Sequence, residues 1–321
     1  MMETSMLDGP KVSVILPNYN HEKYLKQRLD SIFQQTFTDF EVIILDDCST
    51  DNSRSVIDIY RSHPTVTHIE FNNQNSGSAF KQWKRGIDLA KGEWIWIAES
   101  DDYADPAFLE RMILFLKNNN GRVGLLYCDS WIVIDGIVQA ETFGMRKNNK
   151  LQTLHWSNDY INSGIDEIQN FLLAYGTINN TSAVLFNRSV LVKSNSFDLN
   201  LRFMGDKYAF VKMLALSDVG YVNIPLNYYR GLAHSKPKHT DDYLDYFYEQ
   251  FLIFDWVSRN IKSIDKEWFF RALLLNAEIS LVSGWRGKKI KTCIELLMTN
   301  WILFSKIMGH NLVRTLKQFS F

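Results

Sequence analysis

Trp94-Ile95-Trp96-Ile97-Ala98-Glu99-Ser100-Asp101-Asp102 is an apolar, strand-like run that ends in three acidic side chains within four positions. Carboxylates packed this closely repel one another. A divalent cation relieves that repulsion, and hard oxygen donors suit Mg²⁺ or Mn²⁺ shared with the phosphates of a substrate. The C-terminal end of a strand is also where open α/β sheets bind ligands. A plainer reading is that the acids only begin a loop, and Asp105-Pro106 fits it, because Asp caps helices and Pro suits their first turn. That reading accounts for Asp105 but leaves Glu99, Asp101 and Asp102 as candidates for a metal and phosphate site.

Upstream of this run, residues 12–16 read as a short buried strand stopped by Pro17 and Asn18-Tyr19-Asn20. Leu25, Leu29, Ile32 and Phe33 fall at helical spacing over residues 22–35. Residues 40–45 form a second apolar strand ending at Asp46-Asp47, and a helix follows over 53–62. A strand over 68–71, a turn over 72–77 and a helix over 78–90, stopped by Gly92, lead to the opening run. Beyond it come a helix over 106–118 and a strand over 124–128. Such alternation predicts a mostly parallel central sheet flanked by helices.

Residues 131–176 predict loops, short strands and a helix around 165–174. A strand over 182–186, a helix over 207–217 and a strand over 221–229 follow, the last broken at Pro225 and so set at a sheet edge. After residue 240 the pattern turns to amphipathic or apolar helices over 243–258, 266–283 and 290–308. This helical C-terminal appendage carries Trp256, Trp268, Trp285 and Trp301 and a basic loop at 285–289. Packing onto the main domain is the commoner use of such helices; peripheral membrane contact or a homodimer contact are the others.

Composition narrows the field. The 321 residues are 46% hydrophobic and 22% charged, enough for one large domain with an appendage, and the net charge of −1 gives no basic field to draw nucleic acid. Cys48, Cys128 and Cys293 have no metal or disulfide spacing, which points to reduced thiols and a cytoplasmic setting. Residues 1–10 lack the apolar core of a secretory signal, and no apolar run is long enough to span a bilayer.

Several ordered motifs carry a resemblance: Val12 to Asn20 (VSVILPNYN), Ser31 to Phe37 (SIFQQTF), Glu41 to Asp51 (EVIILDDCSTD), Asn75-Ser76-Gly77, and the acidic run at 99–102. In this order and spacing they resemble family 2 glycosyltransferases, which have the GT-A fold and use nucleotide-sugar donors. The likeness spans residues 11–235. It implies a GT-A domain over 1–240, with a nucleotide-binding half at 11–130 and an acceptor half at 131–240, followed by the helical region 241–321. It also implies nucleotide-sugar contacts at Pro17, Tyr19, Asp47, Gly77, Lys84, Glu99 and Asp102. Tyr19 can stack on a base, and Asp47 can accept a hydrogen bond from uracil or guanine N–H. Lys81 and Arg85 lie near the donor by the same likeness, although a solvated helix face is the commoner fate of any one of these cations.

The family's Asp-x-Asp metal motif aligns with Glu99-Ser100-Asp101, which makes Asp101 the implied ligand for Mn²⁺ or Mg²⁺. The looser Tyr229-Arg230 to His234 segment adds His234 as a second. For the catalytic base the resemblance points to Asp206 in Met204-Gly205-Asp206, although local sequence alone reads that acid as a helix cap. The resemblance implies an inverting transfer of a sugar from a nucleotide-diphosphate donor, a UDP-sugar, to a glycan or lipid-linked acceptor in surface polysaccharide biosynthesis, in the cytoplasm or at the inner face of the membrane.

Three other functions compete with it. A nucleotidyltransferase lacks its Gly-rich loop here, because Pro17-Asn18-Tyr19-Asn20 stands in that place, and no Gly-x-Gly-x-x-Gly supports a dehydrogenase. A non-catalytic nucleotide-sugar-binding or scaffold protein of the same fold is opposed by the joint presence of Asp47, Asp101 and Asp206.

Overall fold

The computed structural model describes residues 9–119, 123–197, 201–231 and 240–265. Strands β1 (Val12–Asn18), β2 (Phe40–Asp46), β3 (Val66–Phe71) and β4 (Trp94–Ile97) pair in parallel in the order β3-β2-β1-β4. Every residue of β1, β2 and β4 is buried, as expected for parallel strands covered on both faces. Helices α1 (Glu22–Phe33), α2 (Ser53–Asp58) and α3 (Ala79–Leu89) make the crossovers.

Alternate residues sort into two cores. Val12, Val14, Leu16, Val42, Ile44 and Trp96 meet Leu25, Leu29 and Ile32 of α1, joined by α4 (Phe108–Asn118). Ile15, Ile43, Leu45, Ile95 and Ile97 meet Phe80, Trp83 and Ile87 of α3. Helix α3 lies so close to β1 that a Cβ on Gly86 would stand 2.3 Å from Ile15 Cγ2. Only glycine lets the two elements touch there.

The sheet continues with mixed polarity. Strand β9 (Val184–Asn187) runs antiparallel between β4 and β6 (Val123–Ile134), and β10 (Asp218–Arg230) lies parallel to β6. The short strands β5 (Tyr103–Ala104) and β8 (Tyr160–Asn162) pair with opposite ends of β10, and β7 (Ile137–Thr142) makes a hairpin with β6. Strand β6 therefore runs well past residue 128, where the sequence predicted its end. Pro225 is not on a free edge either. It sits between the β8 and β5 pairings, at a register shift against β6, where its missing N–H is least costly.

Helix α5 (Phe143–Leu151) was not foreseen. Its sequence is polar and helix-neutral, and it is fixed instead by Thr142, whose hydroxyl accepts from Met145 N–H at 3.3 Å. The helix expected around 165–174 appears as α6 (Gly164–Glu167), a π turn over Ile168–Leu172 and α7 (Leu173–Tyr175). Helices α8 (Arg188–Ser194), α9 (Gly205–Leu214) and α10 (Thr240–Asn260) complete the described elements.

Helix α10 buries Ile253, Phe254 and Val257 in the same core as Phe210 and Met213, so this part of the expected appendage packs on the main body. The helices expected over 266–283 and 290–308, and the basic loop between them, lie outside the described residues. Among the described residues no helix is long and apolar enough to cross a membrane.

Candidate active site

The C-terminal ends of β1, β2 and β4 and the N-terminus of α3 enclose a cleft of about 360 Å³. Pro17, Asn18, Tyr19 and His21 line it from β1, Asp47 from β2, and Glu99 and Ser100 from β4. The turn before α3 adds Asn75 and Gly77, and α3 itself adds Gln82. Five of the residues named from the sequence thus share one cavity: Pro17, Tyr19, Asp47, Gly77 and Glu99.

The loops around the cleft are tied by side chains. Asp47 Oδ1 accepts from Asn72 Nδ2 (2.7 Å), Ser76 N–H (2.9 Å) and Gln82 Nε2 (2.9 Å), and Oδ2 accepts from the Ser76 hydroxyl at 2.8 Å. Asp47 therefore organises the loop that carries Gly77, whose φ of +71° suits glycine. Its neighbour Asp46 is fully buried and spent on Asn18, Ser49 and Arg54. Asn20, itself left-handed at φ +56°, accepts from Thr50 N–H at 2.7 Å and joins the β1 and β2 loops. The Tyr19 ring is left 45% exposed beside the cleft, open to stacking.

In the acidic run the three carboxyls face different neighbours. Glu99 Oε1 accepts from Trp83 Nε1 at 2.6 Å, yet burial and the nearby Asp101 push its carboxyl up to about 8. Asp102 is buried; it accepts from Arg230 N–H at 2.9 Å and from Asn180 Nδ2 at 3.5 Å, and burial with Asp101 repulsion raises it to about 7. Burial raises Asp101 as well, against the pull of Arg28 and Arg230.

Two arginines serve this run. Arg230 Nη1 donates to the Asp101 carbonyl at 2.6 Å and its guanidinium lies 4.6 Å over the Tyr103 ring. Arg28 is fully buried, 4.9 Å over the Trp96 ring, with no hydrogen-bond partner on any guanidinium nitrogen among the described residues. Burial pushes it down to about 10, opposed by Asp102, Asp101 and Glu99.

Among the described residues, no three His, Cys, Asp or Glu side chains converge into a closed metal cage. An open site is a different matter. Mg²⁺-type sites use one or two carboxylates and complete their shell from water and substrate phosphates. Glu99 and Asp101 offer such hard oxygens, and their mutual repulsion is what a cation would relieve, so the donor set fits. His234, the other expected ligand, lies outside the described residues.

Asp206 stands at the start of α9, half-buried, with Oδ1 accepting from Lys207 N–H at 2.6 Å. Burial raises its carboxyl, opposed by Lys207. The adjoining Gly205 is pressed against Phe80 of α3, where a Cβ would lie 2.5 Å from the ring. That contact puts the N-terminus of α9 beside the helix whose first residues wall the cleft.

The cations of α3 turn elsewhere. Lys84 pairs with Asp88 at 2.6 Å, Arg85 with Glu70 at 2.8 Å, and Lys81 donates to the Ser76 carbonyl at 2.9 Å. Sequence reasoning passed over His21, Asn75, Gln82 and Ser100. His21 Nδ1 lies 2.7 Å from Ser100 Oγ, a contact across 79 residues that no local pattern announces. Gln82 was detectable, since it lies one turn of helix beyond Ser78.

Residues 13–166 match the model of glycosyl transferase family 2. The glycosyltransferase GlyG of Streptococcus pneumoniae is 24% identical over 78% of this chain and 99% of its own length. The poly(ribitol-phosphate) β-N-acetylglucosaminyltransferase TarS of Staphylococcus aureus is 36% identical over 36% of the chain, which spans only 20% of that protein. A putative teichuronic acid biosynthesis glycosyltransferase of Bacillus subtilis, TuaG, is 33% identical over 35% of this chain and 44% of its own. Among solved structures, TarS 1–349 in complex with UDP-GlcNAc superposes with a TM-score of 0.61 at 19% identity, covering 83% of this chain and 71% of that one. Mannosyltransferase PcManGT of Pyrobaculum calidifontis, in complex with GDP-Man and Mn²⁺, gives 0.54 at 16% identity, covering 96% and 81%. The fold is that of these GT-A transferases.

Proposed function

We propose that this chain, which belongs to glycosyl transferase family 2 through residues 13–166, is an inverting enzyme that moves a sugar from a nucleotide-diphosphate donor, a UDP-sugar, to a glycan or lipid-linked acceptor in surface polysaccharide assembly. The observation that carries the reading is the single cleft joining Pro17, Tyr19 and Asp47 to Glu99. A base-sized, partly aromatic end and an acidic end suit a nucleoside and its metal-bound diphosphate. Relatives whose names refer to ribitol-phosphate and teichuronic acid polymers support the acceptor class.

In this reading Tyr19 stacks on the base, and the loop tied down by Asp47 closes one side of the cleft. Asp101, with Glu99 beside it, would hold Mn²⁺ or Mg²⁺, which supplies Lewis-acid neutralisation of the departing diphosphate. Arg230 holds the acidic turn in place. Asp206 takes the proton from the acceptor hydroxyl as that oxygen attacks the anomeric carbon from the side opposite the diphosphate, so the configuration inverts. Desolvation, which raises the Asp206 carboxyl, makes it a stronger proton acceptor than a carboxylate in water. A lipid-linked acceptor would bring the enzyme to the inner face of the membrane as a peripheral protein.

The test is titration of UDP, GDP and their sugars with and without Mn²⁺, followed by turnover of Asp206→Asn. Asp206→Asn should lower transfer by ~10²–10⁴-fold while UDP affinity stays within a factor of about two. Binding indifferent to both nucleotide and metal would instead favour a scaffold, and full turnover in Asp206→Asn would remove that residue from the mechanism.

A further inference from the structure

A second cavity, of about 370 Å³, opens on the acceptor side of the sheet, between β6, β10, α5 and the loop before β8. Asp129 and Trp131 of β6 line it, with Met145 and Asn148 of α5, Trp156, and Asn223 of β10. Strands β6 and β10 run parallel to β4 and β1, and Asp129 and Trp131 lie beyond Tyr127, the last β6 residue paired with β9, so this wall of the cavity lies toward the C-terminal ends of the strands, as the cleft does. In the strand order, β9 alone separates β4 from β6. At ~4.8 Å per strand, the cavity stands roughly 10–15 Å from the β4 wall of the cleft, a span that a few linked sugar rings cover.

Its chemistry is selective. Asp129 is 5% exposed, and its Oδ1 is held by Ser130 N–H (2.7 Å) and Gly144 N–H (2.8 Å). Among the described residues no donor reaches Oδ2, and Asp129 lines the cavity. A carboxylate oxygen with an open acceptor position in a cavity wall can take an incoming hydroxyl as its donor. The ring of Trp131 is half-buried in the wall, and Trp156, also in the wall, is almost fully buried with its Nε1 bound to Tyr127 OH at 2.8 Å.

No Lys or Arg lines the cavity. The nearby Lys147 is spent inward, donating to the Thr177 carbonyl at 2.9 Å over the Trp156 and Tyr127 rings. One carboxylate, neutral amides and aromatic surface with no cation disfavour an anion and suit a neutral, hydroxyl-rich ring whose C–H face packs on an indole.

We propose that this cavity is an acceptor subsite that binds a neutral sugar residue of the growing glycan, one or more rings away from the attacking hydroxyl, with Asp129 Oδ2 accepting a sugar hydroxyl and Trp131 supplying the stacking face. The proposal rests on the glycosyl-transfer reading for the word acceptor, but the cavity's affinity for sugar does not.

Saturation-transfer NMR on the full chain separates the two, with methyl β-glucoside, methyl β-galactoside and methyl N-acetyl-β-glucosaminide as probes and UDP in the same sample. Asp129→Asn keeps the oxygen that Ser130 and Gly144 bind, and Trp131→Ala trims a side chain that is only half-buried, so both variants should fold; an unchanged UDP signal checks that they do. The expected result is saturation transfer to at least one glycoside, reduced about tenfold in each variant with UDP unaffected. Transfer that survives both substitutions, or none to any glycoside while UDP binds, overturns the subsite. Glycoside transfer lost in the variants, but no UDP signal in any sample, would sink the nucleotide-sugar reading and leave the cavity standing.

Discussion

Glu249 of α10 is predicted to hold the segment that leads into Asp206. Its buried carboxylate accepts three consecutive backbone N–H groups: Arg202 on Oε1 at 2.6 Å, and Phe203 and Met204 on Oε2 at 2.8 and 2.7 Å. Hydrogen bonds to a charged group contribute about 1.5–3 kcal/mol each. Glu249→Gln keeps one oxygen, which would serve the Phe203 and Met204 pair and turn an amide N–H₂ toward Arg202, whose backbone can reach water. The loss is then one charge-assisted bond plus the weakening of two others, about 2–3 kcal/mol, or roughly 5–10 °C in melting temperature. Glu249→Ala leaves all three donors without an acceptor and should cost about 4–6 kcal/mol. Because the three N–H groups immediately precede Gly205 and Asp206, kcat for transfer should fall about tenfold or more in Glu249→Gln, while UDP affinity, set at the far side of α3, stays unchanged. The assay pairs thermal melting with kcat and UDP binding measured at a temperature where the variant is fully folded. A lowered melting temperature with unaltered kcat per folded molecule would make Glu249 a scaffold residue only, and an unaltered melting temperature would refute the energetics.

Tyr19→Ala should weaken UDP by about 1 kcal/mol, roughly fivefold, with little change in melting temperature, because the ring is open to solvent; calorimetric titration decides it. Transfer should lose its acidic limb at a pH above the ordinary carboxylate range, since Asp206 acts only when ionised and burial raises it; a rate profile flat down to pH 4 would contradict this. Burial pushes the Lys207 ammonium down from 10.5 to about 7. Between those values the unfolded chain binds the proton that the folded chain releases, so stability should rise with pH across that window, by up to ~1.4 kcal/mol per unit. Lys207→Met should remove that rise in melts taken at pH 7, 8 and 9, and identical slopes in both proteins would refute it.

The parallel half of the fold was legible because its determinants are local. Continuous apolar runs at 12–16, 40–45 and 94–97 can be satisfied only by burial on both faces, and each is followed by a segment with helical spacing. Residues 131–151 were illegible for the opposite reason. Strand β6 extends to Ile134 through its pairing with β10, almost a hundred residues later in the chain, and α5 owes its place to one cap and to the close fit of Gly144 over Asp129 and Tyr221 rather than to propensity. The same divide runs through the site. Asp47 is named by its motif, but the donors that fix it come from Asn72, Ser76 and Gln82, and motif reading assigned none of them a role.

The acidic run shows why residue type alone underdetermines a role. Glu99, Asp101 and Asp102 are equivalent as letters, yet contacts from distant segments separate them. Asp102 is turned inward, bound to Arg230 N–H and Asn180 and faced by the charge of Arg28, which suits an anchor for the loop. Glu99 accepts the Trp83 indole N–H and lies in the cleft wall. Asp101 accepts no side-chain donor through its carboxylate among the described residues, while its carbonyl is pinned by Arg230. Held through its backbone, with no other described residue's side chain donating to its carboxylate, Asp101 is the least engaged of the three acids. The proposal that Asp101 holds the cation rests on this contrast with what the other two acids are already bound to.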